Sequence, residues 1–266
     1  MTLAASTWSQ HAVAGCRGID LAEVLDTAAL QDRVDRKYLL DVGTAERVLD
    51  ALHEDHRVLE VDGRRVQAYS TIYFDSRDLT CHRQHLQGRR RRWKARTRRY
   101  LDSDLTRLEL KTKGPRGRTV KVSTDVAPER HGVVDDGVRH FLDTHLLAAY
   151  GRGLGVELVP VLEVGYLRTT LVADGGGTRL TLDTALEVRA PGGAPVGRLQ
   201  AGGVLVETKS GARAGRADRI LREHKVQQAS CSKYCLGTAM AAPALPSAPF
   251  RPLLRKWFEP AAAVAA

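Results

Sequence analysis

The chain has 266 residues, enough for one large domain or two small ones, and 43% of them are hydrophobic. Its 41 Lys and Arg outnumber 31 Asp and Glu, which gives a net charge of +10. This balance predicts a polyanionic partner: nucleic acid, a phosphorylated small molecule, a phosphate polymer or an anionic membrane surface. No apolar run approaches the roughly 20 residues that span a bilayer, and the N-terminus does not resemble a signal peptide.

Composition divides the chain into three parts. Residues 1–18 are predicted to be a flexible N-terminal arm and residues 19–240 a single domain. Residues 241–266, rich in Ala and Pro, are predicted to be a disordered tail, in which RPLLRKWF (251–258) could instead dock as a short amphipathic turn. The four cysteines include no CxxC pair, which favours reduced thiols and a cytoplasmic location.

Alternation of apolar and polar residues predicts eight strands. Their ranges are 33–40, 67–75, 90–100, 105–113, 117–125, 159–170, 178–188 and 203–209. Glycine-rich segments predict hairpin turns at KGPRGR (113–118) and ADGGGTR (173–179). Helices are predicted over 44–55 with a cap at Thr44, over 135–151 with a terminal glycine, and over 213–227 and 230–240. The fold class is therefore α+β.

The strands share an arrangement of charge. RLELKTKG (107–114) places an acid and two lysines on one face and apolar residues on the other, and VLVETKSG (204–211) repeats an acid and a lysine. For any one such strand, the charged residues can be explained as a face exposed to solvent. Across seven strands, however, the charged faces are rich in Arg and Lys with an acid spaced in. An eight-stranded antiparallel barrel, with charged faces inside and apolar faces under flanking helices, accommodates this pattern.

A basic interior of this kind predicts a ligand. Two like charges about 4 Å apart repel by roughly 4 kcal/mol at an effective dielectric constant of 20. A polyanion that enters the barrel would relieve this repulsion. The spaced carboxylates are suited to Mg²⁺ or Mn²⁺.

Eight segments in a fixed order resemble the catalytic domain of the vacuolar transporter chaperone (VTC) family, within the triphosphate tunnel metalloenzymes. They are RVDRKYLL, YSTIYFDSRDL, GRRRRWKARTRRY, LELKTKGPRGRTVKVS, EVGYLRTTL, TRLTLDT, VLVETKSG and SKYCLG, over about residues 30–240. The resemblance implies an eight-stranded antiparallel β-barrel tunnel. It also implies a polyphosphate polymerase that transfers the terminal phosphate of ATP to a growing chain. ATP and inorganic polyphosphate would be its partners, with Mn²⁺ or Mg²⁺ as cofactor.

The resemblance also implies site residues. The basic positions, with Lys209 added from the second Glu-x-Lys strand, are Lys37, Arg96, Arg98, Lys111, Lys121, Arg168, Arg179, Lys209 and Lys233. The four arginines would bind the triphosphate and the chain, and Lys37, Lys111 and Lys121 would add positive potential. Glu207 matches the metal-binding glutamate of the family. Weaker metal candidates, which could equally orient neighbouring cations, are Glu109, Glu163 and Asp183.

Some alternatives stay open. The first strand carries Asp35 without a second acid, whereas hydrolytic relatives have E-x-E-x-K, so a two-metal hydrolase site is disfavoured. A tunnel triphosphatase or polyphosphatase and a non-catalytic polyphosphate-binding protein are still alternatives. GRRRRWKARTRRY alone resembles an RNA-binding segment, but the aromatic content of 5% makes nucleic acid the less expected partner. A separate membrane-protein partner is possible, and the oligomeric state is open.

Two further motifs are predicted to have no role at the site. His53/His56 and His82/His85 have spacings found in metal sites but lack acidic or Cys partners, which predicts surface histidines. GARAGR (211–216) is predicted to be a loop, although its amides could contact phosphate.

Overall fold

The structure, a computed structural model, describes residues 3–27, 34–114, 119–245 and 247–261. Within these ranges twelve strands form one sheet, flanked by eight α-helices and a short 3-10 helix, Pro128–Arg130. The strands are β1 (Arg17–Ile19), β2 (Val34–Asp41), β3 (His56–Leu59), β4 (Gln67–Asp75), β5 (Trp93–Tyr100), β6 (Thr106–Lys113), β7 (Thr119–Val126), β8 (Val159–Ala173), β9 (Arg179–Arg189), β10 (Pro195–Leu199), β11 (Gly203–Ser210) and β12 (Phe258–Pro260). The helices are α1 (Leu3–Ala12), α2 (Leu21–Thr27), α3 (Val42–Asp50), α4 (Thr80–Leu86), α5 (Asp136–Tyr150), α6 (Arg216–Glu223), α7 (Lys233–Ala241) and α8 (Arg251–Trp257).

Eight of the strands form an antiparallel path in the order β7-β6-β5-β4-β8-β9-β11-β2. They correspond to the eight predicted strands, with ends that differ by a few residues. Arg33 and the turn residues 115–118 lie outside the described residues, whereas the predicted turn at 173–179 joins β8 to β9. The sequence did not indicate the short strands β1, β3, β10 and β12, of which β1 pairs with β3 in parallel.

The eight-stranded path is strongly curled. Six strand-to-strand steps separate β6 from β2, so the two strands would lie about 29 Å apart in a flat sheet. Yet Lys111 Nζ on β6 lies 3.3 Å from Asp35 Oδ2 on β2. We call the inner side of this curled path the concave face.

The closed eight-stranded barrel is not confirmed. No backbone pairing joins β2 to β7 within the described residues. Instead, part of the outer edge of β2 is occupied by the segment after α6. Ala229 N donates to Lys37 O at 2.7 Å, and Gln228 forms a bridge with Tyr38.

Apolar side chains cover the outer side of the sheet, as predicted. One cluster packs β2, β9 and β11 against α1, α3 and α6 and includes Leu40, Val204 and Val206. A second packs β5 and β6 against α5, with Leu108 and Leu110 against Leu142. The helices therefore shield the apolar faces, which leaves the charged faces to the concave side.

One part of the concave face is apolar as well. Leu39, Leu162 and Leu205 pack there against Tyr234 and other residues of α7, with α8 beside them. A bulge in β9 at Ala185, where φ is 50°, shifts the alternation by one residue, so Asp183 and the later apolar residues of β9 point to the same side. The concave face thus has a charged part and a part filled by helix.

Two helix ends test the predicted caps. The prediction of a cap at Thr44 is wrong: α3 begins at Val42, and Asp41 Oδ1 accepts from Thr44 N at 2.9 Å. Asp41 is therefore the N-cap residue, and its carboxylate also accepts from the Thr44 hydroxyl. The terminal glycine of the helix at 135–151 is confirmed, since Gly151 ends α5 with φ 69°.

Both ends of the chain contain regular structure where irregular chain was expected. In α1, Ser9 Oγ lies 3.2 Å from Thr184 Oγ1 of β9. The alternative of a docked turn at 251–258 agrees with α8, whose Trp257 is buried, and β12 pairs with β10. The Ala- and Pro-rich composition concealed a few apolar residues that anchor this segment. The division into arm, domain and tail stays a prediction.

The four cysteines are free thiols, in agreement with the prediction of reduced cysteines. Among the described residues, no helix has the length and apolar character needed to cross a bilayer.

A buried carboxylate ties β4 to α4 and α7. Asp75 ends β4 and is fully buried, and it accepts from Cys81 N at 2.8 Å and His82 N at 3.0 Å in the first turn of α4. The Tyr234 hydroxyl of α7 donates to the same carboxylate. Asp75 thus satisfies amides that a helix N-terminus leaves unpaired and also holds α7 in position.

We expect Tyr234→Phe to lower the free energy of unfolding by about 1.5–3 kcal/mol, because it removes a buried hydrogen bond to a charged acceptor. Urea unfolding measures the change. Tyr100→Phe is the control, since no hydrogen bond is found for the half-exposed Tyr100 hydroxyl among the described residues. Equal losses in the two variants would show that the contact with Asp75 contributes nothing specific.

Candidate functional site

The charged part of the concave face gathers ten basic side chains around four carboxylates. The basic residues are Lys37, Lys94, Arg96, Arg98, Lys111, Lys121, Arg168, Arg179, Lys209 and Lys233. The carboxylates are Asp35, Glu109, Asp183 and Glu207. All but Lys233, which begins α7, come from the strands of the eight-stranded path. Its excess of positive charge suits a multiply charged anion.

Glu109 lies between two cations. It is directly opposite Arg96 in the register, accepts from Arg96 Nε at 2.6 Å, and also accepts from Lys121 of β7. Glu109 is 2% exposed. Burial acts to raise its pKa, but Arg96, Arg98 and Lys121 outweigh burial and hold the pKa well below its usual range. Glu109 is therefore ionised at neutral pH and fixes the orientation of both partners.

Asp183 repeats this arrangement on β9. Arg168 lies directly opposite and donates from Nε to Oδ1 at 2.6 Å and from its terminal nitrogen to Oδ2 at 2.8 Å. Lys233 of α7 donates to Oδ2 as well. Burial acts to raise the pKa of Asp183, yet the two cations lower it far below its usual range. The two hydrogen bonds to Asp183 use only two of the five N–H groups of the Arg168 guanidinium.

Glu207 is the third carboxylate that contacts two basic side chains. Lys37 lies directly opposite on β2, with its Nζ 3.3 Å from Glu207 Oε2, and Lys209 contacts Oε1 from two residues along β11. Burial, together with Arg168, Arg179 and Lys37, lowers the pKa of Lys209 well below its usual value.

Three lysines form a row across neighbouring strands. Lys94 on β5 is directly opposite Lys111 on β6, which is directly opposite Lys121 on β7. Lys94 Nζ donates to Ser232 Oγ at 2.9 Å, and burial, Lys111 and Lys37 lower its pKa to about 8. Burial also lowers the pKa of Lys111 and of Lys121. Like charges directly opposite one another destabilise a sheet, so the row is costly without an anion.

Tyrosines form the floor beneath the arginines. The centroid of the Tyr69 ring is 5.5 Å from Cζ of both Arg98 and Arg168, and the Tyr166 centroid is 5.2 Å from Arg168 Cζ. Arg96 donates to the Tyr73 hydroxyl at 3.2 Å. These contacts favour the planar guanidinium groups and restrict their rotation.

The structure brings every sequence-predicted site residue except one to the concave face. Glu163 lies on the opposite side of β8, where it accepts from Ser70 Oγ at 2.8 Å. The predicted site lacked Lys94 and the tyrosines. Lys94 shares the alternation of Arg96 and Arg98, a signal that could have found it. The tyrosines look like core residues in sequence, and no pattern distinguished them.

The histidine prediction is partly wrong. His53 is exposed, but His56 and His82 are buried and His85 is half-buried. Burial lowers the pKa of His85 to about 3, with Lys94 adding to the effect. The His82 ring packs against that of Tyr234, and His85 Nδ1 lies 2.9 Å from Cys81 O, so polar sequence context was a poor guide to their exposure.

The residues present fit a divalent cation only in part. No group of three or more His, Cys, Asp or Glu side chains within the described ranges could hold a metal ion. Glu109 and Asp183 are each held by two cations. Glu207 also contacts two lysines, but it is 17% exposed and so is the most accessible of these three carboxylates for a metal contact. Mg²⁺ is commonly held by one or two carboxylates together with substrate phosphates, and the concave face fits only such a shared site.

The comparisons with known proteins give a family and a structural likeness. The family model described as VTC domain matches residues 32–242. The comparison with curated proteins gives no match.

Three solved structures are similar to the chain at low sequence identity. An adenylate cyclase candidate from Bacillus halodurans is 14% identical with a TM-score of 0.44, over 76% of this chain and 94% of its own. An adenylyl cyclase candidate from Hippeastrum, described as having a dominant triphosphatase activity, is 14% identical with a TM-score of 0.40, over 78% and 94%. A protein from Pyrococcus horikoshii is 15% identical with a TM-score of 0.40, over 74% and 92%. At such identities activities do not transfer between chains.

We expect Glu109→Gln to lower the free energy of unfolding by about 3–5 kcal/mol at pH 7, because Arg96 and Lys121 lose their counter-charge. The pKa of Glu109 is lowered on folding, so its contribution is present above the unfolded pKa of about 4.3 and is lost as pH falls below it. Urea unfolding at pH 7 and pH 3 should show a smaller difference from wild type at pH 3.

Asp125→Asn is the matched control on the neighbouring strand. Asp125 is 64% exposed and pairs with Arg107 at 2.8 Å, a contact worth less than about 1 kcal/mol. A Glu109→Gln effect as small as this control, or one that does not depend on pH, would contradict the role given to Glu109.

Proposed function

The chain belongs to the VTC domain family, and on this basis we propose that it is a metal-dependent phosphotransferase that makes polyphosphate. It would transfer the terminal phosphate of ATP to the end of a growing polyphosphate chain held on the concave face. Mn²⁺ or Mg²⁺ would be the cofactor. The family match over residues 32–242 and the basic concave face support this proposal.

The observation that carries the proposal is the repeated sharing of one carboxylate between two cations. Glu109, Asp183 and Glu207 each hold two basic side chains in fixed positions. With both of its basic side chains protonated, each such group has a net positive charge. The three groups together form a preorganised surface for an anion that carries many charges along its length, as a triphosphate or polyphosphate does.

The arginines are the proposed ligands of the reacting phosphates. Arg96 and Arg168 are each held on one side by a carboxylate, while Arg98 and Arg168 lie against tyrosine rings. Their remaining N–H groups can donate to phosphate oxygens in the paired geometry that a guanidinium group offers. Arg179, beside Lys209 in the register, would extend this set along the phosphate chain.

The lysines are proposed to act mainly by giving the concave face a positive electrostatic potential that attracts phosphate. Lys94, Lys111 and Lys121 follow one another across three strands, so a phosphate chain lying along this row would meet a positive charge at each strand. Lys37, Lys209 and Lys233 would play the same part on the other wall. Phosphoryl transfer requires charge neutralisation and in-line positioning more than covalent chemistry from the protein.

A divalent cation at this site would supply neutralisation of phosphate charge for the transfer. Glu207 is the residue proposed to hold it, jointly with the phosphates. The attacking group, the terminal phosphate of the growing chain, is already anionic, so no general base is required. The first strand carries Asp35 without the second acid that the hydrolytic relatives have there, so a two-metal site is not part of the proposal.

The proposal is tested with purified protein, ATP and Mn²⁺, with the products resolved on a polyphosphate gel. We expect long chains from the wild type and none from Glu207→Gln, with ATP binding partly retained in the variant. The amide cannot replace the charge of the carboxylate at the metal.

Glu163→Gln is the matched control for this assay, because Glu163 lies on the opposite side of β8. It should retain wild-type turnover. Release of free phosphate without chain formation would favour a triphosphatase. Normal polymer synthesis by Glu207→Gln at matched Mn²⁺ would exclude Glu207 as the metal residue.

We expect Lys111→Ala to leave stability nearly unchanged and to reduce phosphate transfer by a large factor. Lys111 is 46% exposed, so its pair with Asp35 is worth less than about 1 kcal/mol, and the change also relieves repulsion from Lys94 and Lys121. A positioned cation would be lost from the transition state. Unfolding curves and initial rates measure the two effects.

Lys256→Ala, at an exposed position of α8, controls for the loss of one positive charge. It should alter neither stability nor rate appreciably. Full polymerase activity in well-folded Lys111→Ala protein would mean that the row of lysines is not part of the phosphate path.

A further inference from the structure

Four consecutive arginines, Arg89–Arg92, form the loop between α4 and β5. Arg89, Arg90 and Arg91 are exposed, and no hydrogen bond or ion pair is found for Arg90 or Arg91 within the described part of the chain. Arg92 instead anchors the loop, since its terminal nitrogen donates to Arg89 O at 2.7 Å. The Arg92 carbonyl accepts from the Tyr150 hydroxyl at 2.7 Å. The loop therefore has a fixed base and three arginines exposed to solvent.

The arginine run continues the positive charge of the concave face. Arg92 directly precedes β5, and its carbonyl also accepts from Lys113 N at the end of β6, at 3.1 Å. Burial lowers the pKa of Lys113, and the charges of Arg92 and Lys111 add to this effect, as expected for neighbouring cations. Basic side chains therefore follow one another without a break from the row of lysines, through Lys113, to the arginine run.

The turn at the other end of the same two strands contains acids instead. The turn from β5 to β6, residues 101–105, contains Asp102 and Asp104 and no basic residue. Asp102 accepts from Ala68 N at 2.6 Å and pairs with Arg64 at 2.6 Å, whereas Asp104 is exposed. Arg64 offsets the charge of Asp102, so this turn offers a long phosphate chain no run of unpaired cations comparable to Arg90 and Arg91.

We propose that the arginine run is a second binding site for long polyphosphate, at the mouth where the growing chain leaves the concave face. The proposal rests on the proposed function, since it assigns a direction to the product of that reaction. Arg89, Arg90 and Arg91 contact phosphates that have already passed the reacting centre. They hold the product between successive additions, so the enzyme extends one chain many times before releasing it.

The loop is better suited to polyphosphate than to RNA. Proteins that bind single-stranded nucleic acid combine positive charge with aromatic side chains on which bases stack. Trp93, the aromatic residue next to the run, is 7% exposed and packs in the core beneath α5. The loop thus offers charge for phosphate without a stacking surface for bases.

The test compares tripolyphosphate with long-chain polyphosphate as ligands of wild type and of R89Q/R90Q/R91Q. We expect the variant to bind tripolyphosphate within about twofold of wild type and long-chain polyphosphate about tenfold more weakly at low salt. Loss of three phosphate contacts should reduce the slope of log affinity against log salt by about 2. In the polymerase assay the variant should make shorter chains at an unchanged initial rate.

R219Q/R251Q/R255Q is the control, because it removes the same charge from exposed positions on α6 and α8. R90Q/R91Q, which leaves the contact of Arg89 with Gln87 intact, guards against a disturbed loop. The proposal is overturned if long-chain binding and product length match the control, or if tripolyphosphate binding falls as much as long-chain binding. It is also overturned if the variant loses only binding of single-stranded RNA. Failure of wild type to bind tripolyphosphate would instead refute the proposed function itself.

Discussion

The concave face depends on carboxylates that are each shared between two basic side chains. Glu109, Asp183 and Glu207 lie directly opposite Arg96, Arg168 and Lys37 in the strand register, and a second cation reaches each carboxylate from a neighbouring strand position or from α7. Unpaired, so many cations would cost several kcal/mol each to bury. With the shared carboxylates the sheet can fold, and each group still retains a positive charge for a ligand.

This arrangement requires the sheet to curl, and it requires helices to pack against the apolar part of the concave face. The contact between Lys111 and Asp35 shows how far the strands bend round. Among these helices, α7 supplies Tyr234 to the core and Lys233 to Asp183, so one helix serves both packing and charge. Its position depends in turn on Asp75, which links the end of β4 to both α4 and α7. The geometry of the charged site therefore depends on a buried hydrogen-bond network some distance along the chain.

Much of this could be predicted from the sequence, because alternation with a period of two gives both the strands and the face on which each residue lies. The eight strands of the path and their charged faces follow from that rule, whereas the site residues were implied by the resemblance to the family. The short strands β1, β3, β10 and β12 do not, because three to five residues carry too little pattern and their pairing is set by tertiary packing. Glu163 was one of the weaker metal candidates, but the structure places it on the other face of β8. The Ala185 bulge and the segment at the edge of β2 depend on backbone geometry that composition does not indicate.

The row of lysines has a thermodynamic consequence beyond electrostatic attraction. Lys94, with a pKa of about 8, is partly neutral in mildly alkaline solution because its neighbours and its burial disfavour the ammonium form. On the proposed function, a bound phosphate chain would reverse that balance and raise the pKa, so the protein would take up protons from the buffer as the ligand binds. The affinity for such a chain would then fall as pH rises through this range. The protein would thus respond to alkalinity through the occupancy of its concave face while its fold stays the same.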